Sequence, residues 1–377
     1  MKILFVTGGS PATVFPLTPL ATAARNAGHE VLMASTEETM PAVAGAGLPG
    51  VSITSRTIRH FMVTDRLGDP VEEPTDPAEH LGPFVGRGFG RLAAACLDAL
   101  FELAGHWRPD IVIGGFFSFA APLLAARLGV PHVRHTWDTG EPLIVDHYAA
   151  AELAPELERL GLDGIPETDL WIEICPASVR AADTPQAAQP MRYVPWNPQP
   201  AGPLEPWMYT RCDRPRVLVT AGTKVSRERY FDYLCELAEK VKALGAEVVV
   251  GAPQAVAAEV SAKVGVWAGW LPNDVVVRTC DLVVNHGAGT VLVGMAAGVP
   301  QLLIPNMPKL VAPSQRLADF GAAKMLPRGE DTPAAVLRAG HELLAEPGYR
   351  ERAREIATEM AAMPLPAEVL GVIEKLL

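Results

Sequence analysis

Lys2-Ile-Leu-Phe-Val-Thr7 is an unbroken apolar run that stops at Gly8-Gly9, helix formers follow from Pro19 to Ala27, and Gly28 breaks them before Glu30-Val31-Leu32-Met33-Ala34. A continuous apolar strand, rather than an alternating one, is what a parallel sheet covered on both faces requires. The spacing therefore predicts strand, helix, strand with a right-handed crossover. Asp110-Ile-Val-Ile-Gly114, the helical Ala120 to Leu128 and Pro131 to Thr136 predict a further unit of the same kind. At Arg216 the opening recurs: Arg216-Val-Leu-Val-Thr220-Ala221-Gly222-Thr223 echoes Lys2 to Gly9, and Gly245-Ala246-Glu247-Val248 echoes the strand that begins at Gly28. Two similar halves predict an α/β chain of two doubly wound, Rossmann-like domains.

Between the halves, Pro195-Trp-Asn-Pro198-Gln-Pro200-Ala-Gly-Pro203-Leu-Glu-Pro206 is too rich in proline for helix or central strand. The expected organisation is an N-terminal domain over 1–194, a stiff linker over 195–215 and a C-terminal domain over 216–377. The stretch from Pro333 to Leu377 reads as helices, the last of which is free to pack on either domain. Ligands of open parallel sheets bind beyond the carboxyl ends of the strands, so two such domains are expected to face each other across a cleft.

Composition narrows the chemistry. With 32 Lys+Arg against 43 Asp+Glu in 377 residues the formal charge is −11, which excludes the broad basic face that nucleic acid needs. Five scattered cysteines, with no Cys-x-x-Cys pair, suit a reduced, cytoplasmic protein without bound zinc. The run Ile3 to Val6 is too short for a signal core or a membrane span, so no membrane insertion is expected.

The most informative segment is Asp281-Leu-Val-Val-Asn285-His286-Gly287-Ala288-Gly289-Thr290, followed by the helical Val291 to Ala297. A strand that runs through small residues into a helix aims unpaired N–H groups and the positive helix end at its ligand, which suits a phosphate or diphosphate. His286 and Thr290 add side-chain donors. The same spacing also suits a plain turn with Thr290 as helix cap. Gly222-Thr223 forms a second loop in that domain, and Trp270-Leu271-Pro272 offers an aromatic face for a planar base, or core packing.

These residues, with Cys280, Ala297-Gly298-Val-Pro300-Gln301 and Pro305, resemble the nucleotide-sugar signature of GT-B glycosyltransferases, and most closely that of actinobacterial natural-product enzymes using dTDP-deoxysugars. Pro16-Leu17-x-Pro19-Leu20, Ala27-Gly28-His29-Glu30-Val31 and the proline linker extend the resemblance along the chain. It implies transfer of a deoxysugar from a dTDP-sugar to an aromatic polyketide-type acceptor, inverting and metal-independent, with no cofactor beyond the nucleotide-sugar co-substrate. Donor contacts would be Gly222, Thr223, Trp270, Leu271, His286, Gly287, Ala288, Gly289, Thr290, Asn306 and Lys309; the N-terminal domain would hold the acceptor. A monomer or homodimer is expected. No Asp-x-Asp occurs to hold a metal.

Two departures from that pattern shape the mechanism. Where many relatives carry a histidine base, this chain has Ser10-Pro11-Ala12-Thr13, and a threonine hydroxyl is no base at neutral pH. Asp138 is the first candidate to take its place, ahead of Glu141 and His135, and the region resembles C-glycosylating enzymes in which a phenolate carbon attacks the sugar. Asp138 as a helix cap is the plainer alternative. Second, Lys309-Leu310 stands where hexose-using relatives have Asp-Gln, which points to a sugar with fewer hydroxyls. Phe61, Phe84, Phe117 and Trp137, several expected in loops or at strand ends, would join Ser10, Thr13 and Glu141 around a flat acceptor, with core packing their other fate, and Ile58 to Pro83 would be a mobile lid. A nicotinamide oxidoreductase is disfavoured, since neither Gly8-Gly9-Ser10 nor Gly287-x-Gly289 completes the dinucleotide fingerprint. A sugar-nucleotide epimerase of this fold and a non-catalytic sugar-nucleotide-binding helper stay open.

Overall fold

The computed structural model describes residues 1–74, 76, 79–140, 142–199 and 202–377. They form two compact units, the first of Met1–Ile174, Ala182–Arg192 and Pro364–Leu377, the second of Cys175–Ala181 and Tyr193–Met363.

The first unit carries β1 (Lys2–Val6), β2 (Glu30–Thr36), β3 (Gly50–Thr54), β4 (Ile111–Gly115), β5 (His132–His135), β6 (Leu170–Glu173) and β7 (Gln189–Pro190) in the order β3-β2-β1-β4-β5-β6-β7. Each pairing is parallel. Ile3, Leu4 and Phe5 are fully buried because helices cover both faces, which is why the strand tolerates no polar alternation. Glycine lets a helix approach β4 closely: a Cβ on Gly114 would stand 2.7 Å from the Ala121 Cβ. The last helix, Pro366–Ile373, packs on Thr18–Asn26 of this unit. His29 Nε2 lies 2.8 Å from Glu374 Oε1, and Arg192 N–H donates to the Pro364 carbonyl, fixing the chain's end there.

The second unit carries β8 (Arg216–Thr220), β9 (Glu247–Gly251), β10 (Trp267–Gly269), β11 (Leu282–Asn285), β12 (Gln301–Leu303) and β13 (Ala323–Met325), ordered β10-β9-β8-β11-β12-β13 and parallel throughout. Each sheet thus has the doubly wound order, with the recurring opening strand at its centre. Arg216 begins β8 as a buried pillar: Nε donates to Glu247 Oε2 at 2.7 Å, Nη1 to the carbonyls of Trp207 and Thr210 at 2.8 and 3.0 Å, and Nη1 also to Thr279 Oγ1. Burial pushes the Glu247 carboxyl up, but the hydrogen bonds from Arg216 and Cys212 and the charges of Arg216 and Arg214 together outweigh it, leaving the carboxyl below its usual range.

The first part of the segment expected to be a lid, residues 58–69, is pinned, and residues 75, 77 and 78 of that segment lie outside the described residues. It opens with a helix, Ile58–Val63, whose Thr57 cap accepts from His60 N–H, and continues into a turn in which Asp65 Oδ1 accepts from Leu67 and Asp69 N–H. Arg66 clamps that turn through Glu152 and Glu156 at 2.8–2.9 Å. The sequence of this stretch, rich in Gly, Pro and charge, hides ion pairs whose partners lie about 90 residues away. None of the five cysteines is joined in a disulfide; four of them are buried and Cys212 is exposed. Among the described residues no single helix is long and apolar enough to cross a membrane.

Candidate functional site

In the second unit, β11 ends at Asn285 and the helix Gly289–Ala297 begins four residues later. Gly287 has φ +101°, and Ala288 adopts φ 56°, ψ −150°, a region that non-glycine residues seldom occupy. The Gly287 N–H, expected to be free, donates to Asn285 Oδ1 at 2.8 Å. Among the described residues the N–H groups of Ala288, Gly289 and Thr290 have no partner, as the first turn of a helix dictates. Thr290 lies inside the helix; Ala288 occupies the cap position and has no side chain to cap with.

His286 is half-buried against Gly222. A Cβ at Gly222, itself at φ +83°, would stand 2.6 Å from His286 Cε1, so only glycine lets the two loops meet. Burial, helped by the charges of Lys224 and Lys309, pulls the imidazole down to about 4, against a smaller opposing effect of the Thr220 backbone. The ring is therefore neutral at pH 7, and its Nδ1 has no partner among the described residues. The Gly222 N–H is taken by Thr220 Oγ1 at 3.1 Å, and Thr223 beside it is partly exposed. Across Gly287 lie Leu310 and Ser314, which brings the loop of Asn306 and Lys309 to the same turn; Asn306 Oδ1 is buried without a partner.

Trp270 is half-buried, with its Nε1 donating to the Pro198 carbonyl at 2.6 Å. Asn197 completes the fixture: Nδ2 donates to the Leu271 carbonyl at 2.7 Å and Oδ1 accepts from Asn273 N–H at 3.1 Å. Sequence reading passed over Asn197 as a linker residue; its signal was a lone amide between Trp196 and Pro198, too short to read.

In the first unit the aromatic candidates are core. Phe61, Phe84, Phe117 and Trp137 are buried, two of them in helical segments rather than loops, because a central helix, Val85–His106, draws them inward. Phe117 nevertheless packs with Phe89 at 4.8 Å and Trp137 at 5.6 Å, and Phe89 lies against Gly9 beside Thr13. The structure thus gathers Thr13, Phe89, Phe117 and Trp137, and leaves Phe61 held elsewhere by its carbonyl, which accepts from Arg91. Ser10 accepts both the Thr13 N–H and the Thr13 hydroxyl at 2.9 Å, so that hydroxyl's proton is committed to the loop. Asp138 follows Trp137 in an irregular, buried bend and caps no helix; the next one, Ile144–Glu152, starts after Leu143. His135 is wholly buried and pushed down to about 4 by that burial, which removes it from any substrate. Glu141 lies outside the described residues. Among those described, no three His, Cys, Asp or Glu side chains group to hold a metal ion.

Residues 79–222 match the N-terminal domain, and residues 235–376 the C-terminal domain, of "erythromycin biosynthesis protein CIII-like" proteins. The L-demethylnoviosyl transferase of Streptomyces niveus is 32% identical over 98% of this chain and 96% of its own. The elloramycin glycosyltransferase ElmGT of Streptomyces olivaceus is 31% identical over the same shares. Among solved structures, glycosyltransferase SsfS6 of Streptomyces sp. SF2575, complexed with thymidine diphosphate, superposes with a TM-score of 0.88 at 34% identity over 100% of this chain and 99% of its own.

Proposed function

The chain belongs to the erythromycin biosynthesis protein CIII-like family of glycosyltransferases, and from that premise we propose that it moves a deoxysugar from a thymidine-diphosphate donor to a phenolic, polyketide-type acceptor. The observation that carries the reading is the Asn285–Thr290 turn, with three unpartnered N–H groups beside a neutral imidazole. As the anomeric carbon becomes cationic, negative charge collects on the departing diphosphate. Preset N–H donors stabilise that charge more than they stabilise the intact donor. The arriving diphosphate also raises the proton affinity of His286, so that the ring takes a proton from solvent and its Nδ1, unpartnered among the described residues, donates to the diphosphate. Trp270 supplies the face for the base, with Leu271 behind it, and Gly222 and Thr223 complete the diphosphate cradle.

Asp138 takes the phenol proton in this scheme, since Thr13 has no basic atom and His135 is sealed. A single displacement inverts the anomeric centre. The resulting phenolate is nucleophilic at oxygen and at its ortho and para carbons, so carbon attack is open to it. The apolar Leu310 and cationic Lys309 near the turn favour a donor with few hydroxyls. Mass spectrometry of products from a panel of TDP-deoxysugars, UDP-glucose and phenolic acceptors, with acid hydrolysis of each product, tests the proposal. The expected result is transfer from TDP-deoxysugars by the native chain and almost none by Asp138→Asn at neutral pH. Preferred use of UDP-glucose, or release of an altered free sugar without acceptor, overturns it; wild-type rates in Asp138→Asn remove Asp138 as the base.

A further inference from the structure

Beneath the turn runs a chain of two buried amides. Gln301 Nε2 donates to the Val291 carbonyl at 3.0 Å, Asn285 Nδ2 donates to Gln301 Oε1 at 2.9 Å, and Asn285 Oδ1 accepts from Gly287 N–H at 2.8 Å. Asn285 is 0% and Gln301 1% exposed, so neither amide has water as a substitute partner. The polarity is forced from both ends: a carbonyl only accepts and a backbone N–H only donates, which leaves one orientation for each amide. Gly294, inside an otherwise apolar helix, makes room for the pair, since a Cβ there would stand 2.5 Å from Gln301 Cδ. The two anchored points, Gly287 and Val291, bracket Ala288, Gly289 and Thr290, including the strained Ala288.

We infer that Asn285 and Gln301 are positioning residues that hold the diphosphate turn in its binding shape before any donor arrives. The inference rests on the donor reading of that turn. Without the clamp, Ala288 relaxes out of a conformation that only glycine visits freely, and the N–H groups on either side of it lose their common aim.

The test uses the full chain with Gln301→Met, which removes both of that residue's hydrogen bonds at similar length, and Gly294→Ala, which displaces Gln301 without altering a polar group. Calorimetric titration with TDP should show affinity lowered about tenfold to a hundredfold in each folded variant. Amide exchange over 287–291 should quicken in the ligand-free variants. Adding Ala288→Gly to either should recover several-fold, because glycine needs no clamp to keep that conformation. Wild-type TDP affinity in either variant overturns the inference, as does a third substitution that recovers nothing. A merely structural pair would lower melting temperature and leave binding per folded molecule unchanged. If the native chain shows no TDP-dependent protection at 287–290, it is the donor site that fails, and the ligand-free exchange still reads the clamp.

Discussion

β4 and β11 hold the same place in their sheets, each beside the central strand, and each runs through a short turn into a nine-residue helix, Ala120–Leu128 in one unit and Gly289–Ala297 in the other. The turns could scarcely differ more. After β4 come Phe116, Phe117, Ser118 and Phe119, whose three rings are each 2% exposed. Two of their N–H groups are used locally, Ser118 donating to Gly115 and Phe119 to Phe117, at 2.8 and 3.0 Å. After β11 come an imidazole and small residues; Asn285 takes the Gly287 N–H, but those of Ala288, Gly289 and Thr290 have no partner among the described residues. One frame thus yields a wall of core in the first unit and a polar cradle in the second. Topology supplies the position; four or five side chains decide whether the strand end packs or binds.

The largest effect expected from this contrast lies in the aromatic turn. Phe117→Ala removes a ring packed against Phe89, Phe116, Phe119 and Trp137 and should cost about 3–5 kcal/mol of stability. Urea unfolding measures it, and TDP affinity per folded molecule should hold. Loss of TDP binding with stability intact would break the comparison, since it would make the β4 turn a donor contact.

Next comes the polar turn. His286→Ala should lower turnover by about 10²- to 10³-fold, the usual effect of one charge-stabilising donor, with the unfolding midpoint nearly unchanged. An unaltered rate removes His286 from the chemistry. Gly222→Ala sharpens the point, because its new methyl pushes on the imidazole from the neighbouring loop and should reproduce part of that loss with His286 still present.

How far such contrasts were legible beforehand follows from their physics. The central strands and the glycine turn after β11 could be read because apolar runs and glycine stops are local signals, as in Lys2–Val6 and Gly287. For the aromatic candidates the sequence leaves loop contact and core packing both open, because the burial of Phe61 depends on a helix that begins about twenty residues later. Asn285 and Gln301 were equally hidden: sixteen residues separate two amides that meet at 2.9 Å, and no periodicity announces such a pair. The fixing of Trp270 by Pro198 and Asn197 is longer range still. Local chemistry shows in sequence, whereas the supports that orient it are made by the fold.

The smallest effect concerns the strand next to the aromatic turn. His132 and His135 on β5 are buried, and that burial, joined at His132 by the Arg134 charge, pulls them down to about 3 and about 4. A histidine whose folded-state value lies below its unfolded one binds more protons when unfolded. Its contribution to stability is therefore complete above pH 6.5 and is lost as pH falls toward the folded value, reaching about 2 kcal/mol for each residue at pH 5. Neither ring nitrogen of His132 has a partner among the described residues, so His132→Leu removes an unsatisfied polar ring as well as a titrating one. Urea unfolding at pH 7 should find that variant at least as stable as the native chain. At pH 5 it should keep about 2 kcal/mol that the native chain loses. If the two instead decline in parallel, the acid sensitivity of this unit arises elsewhere.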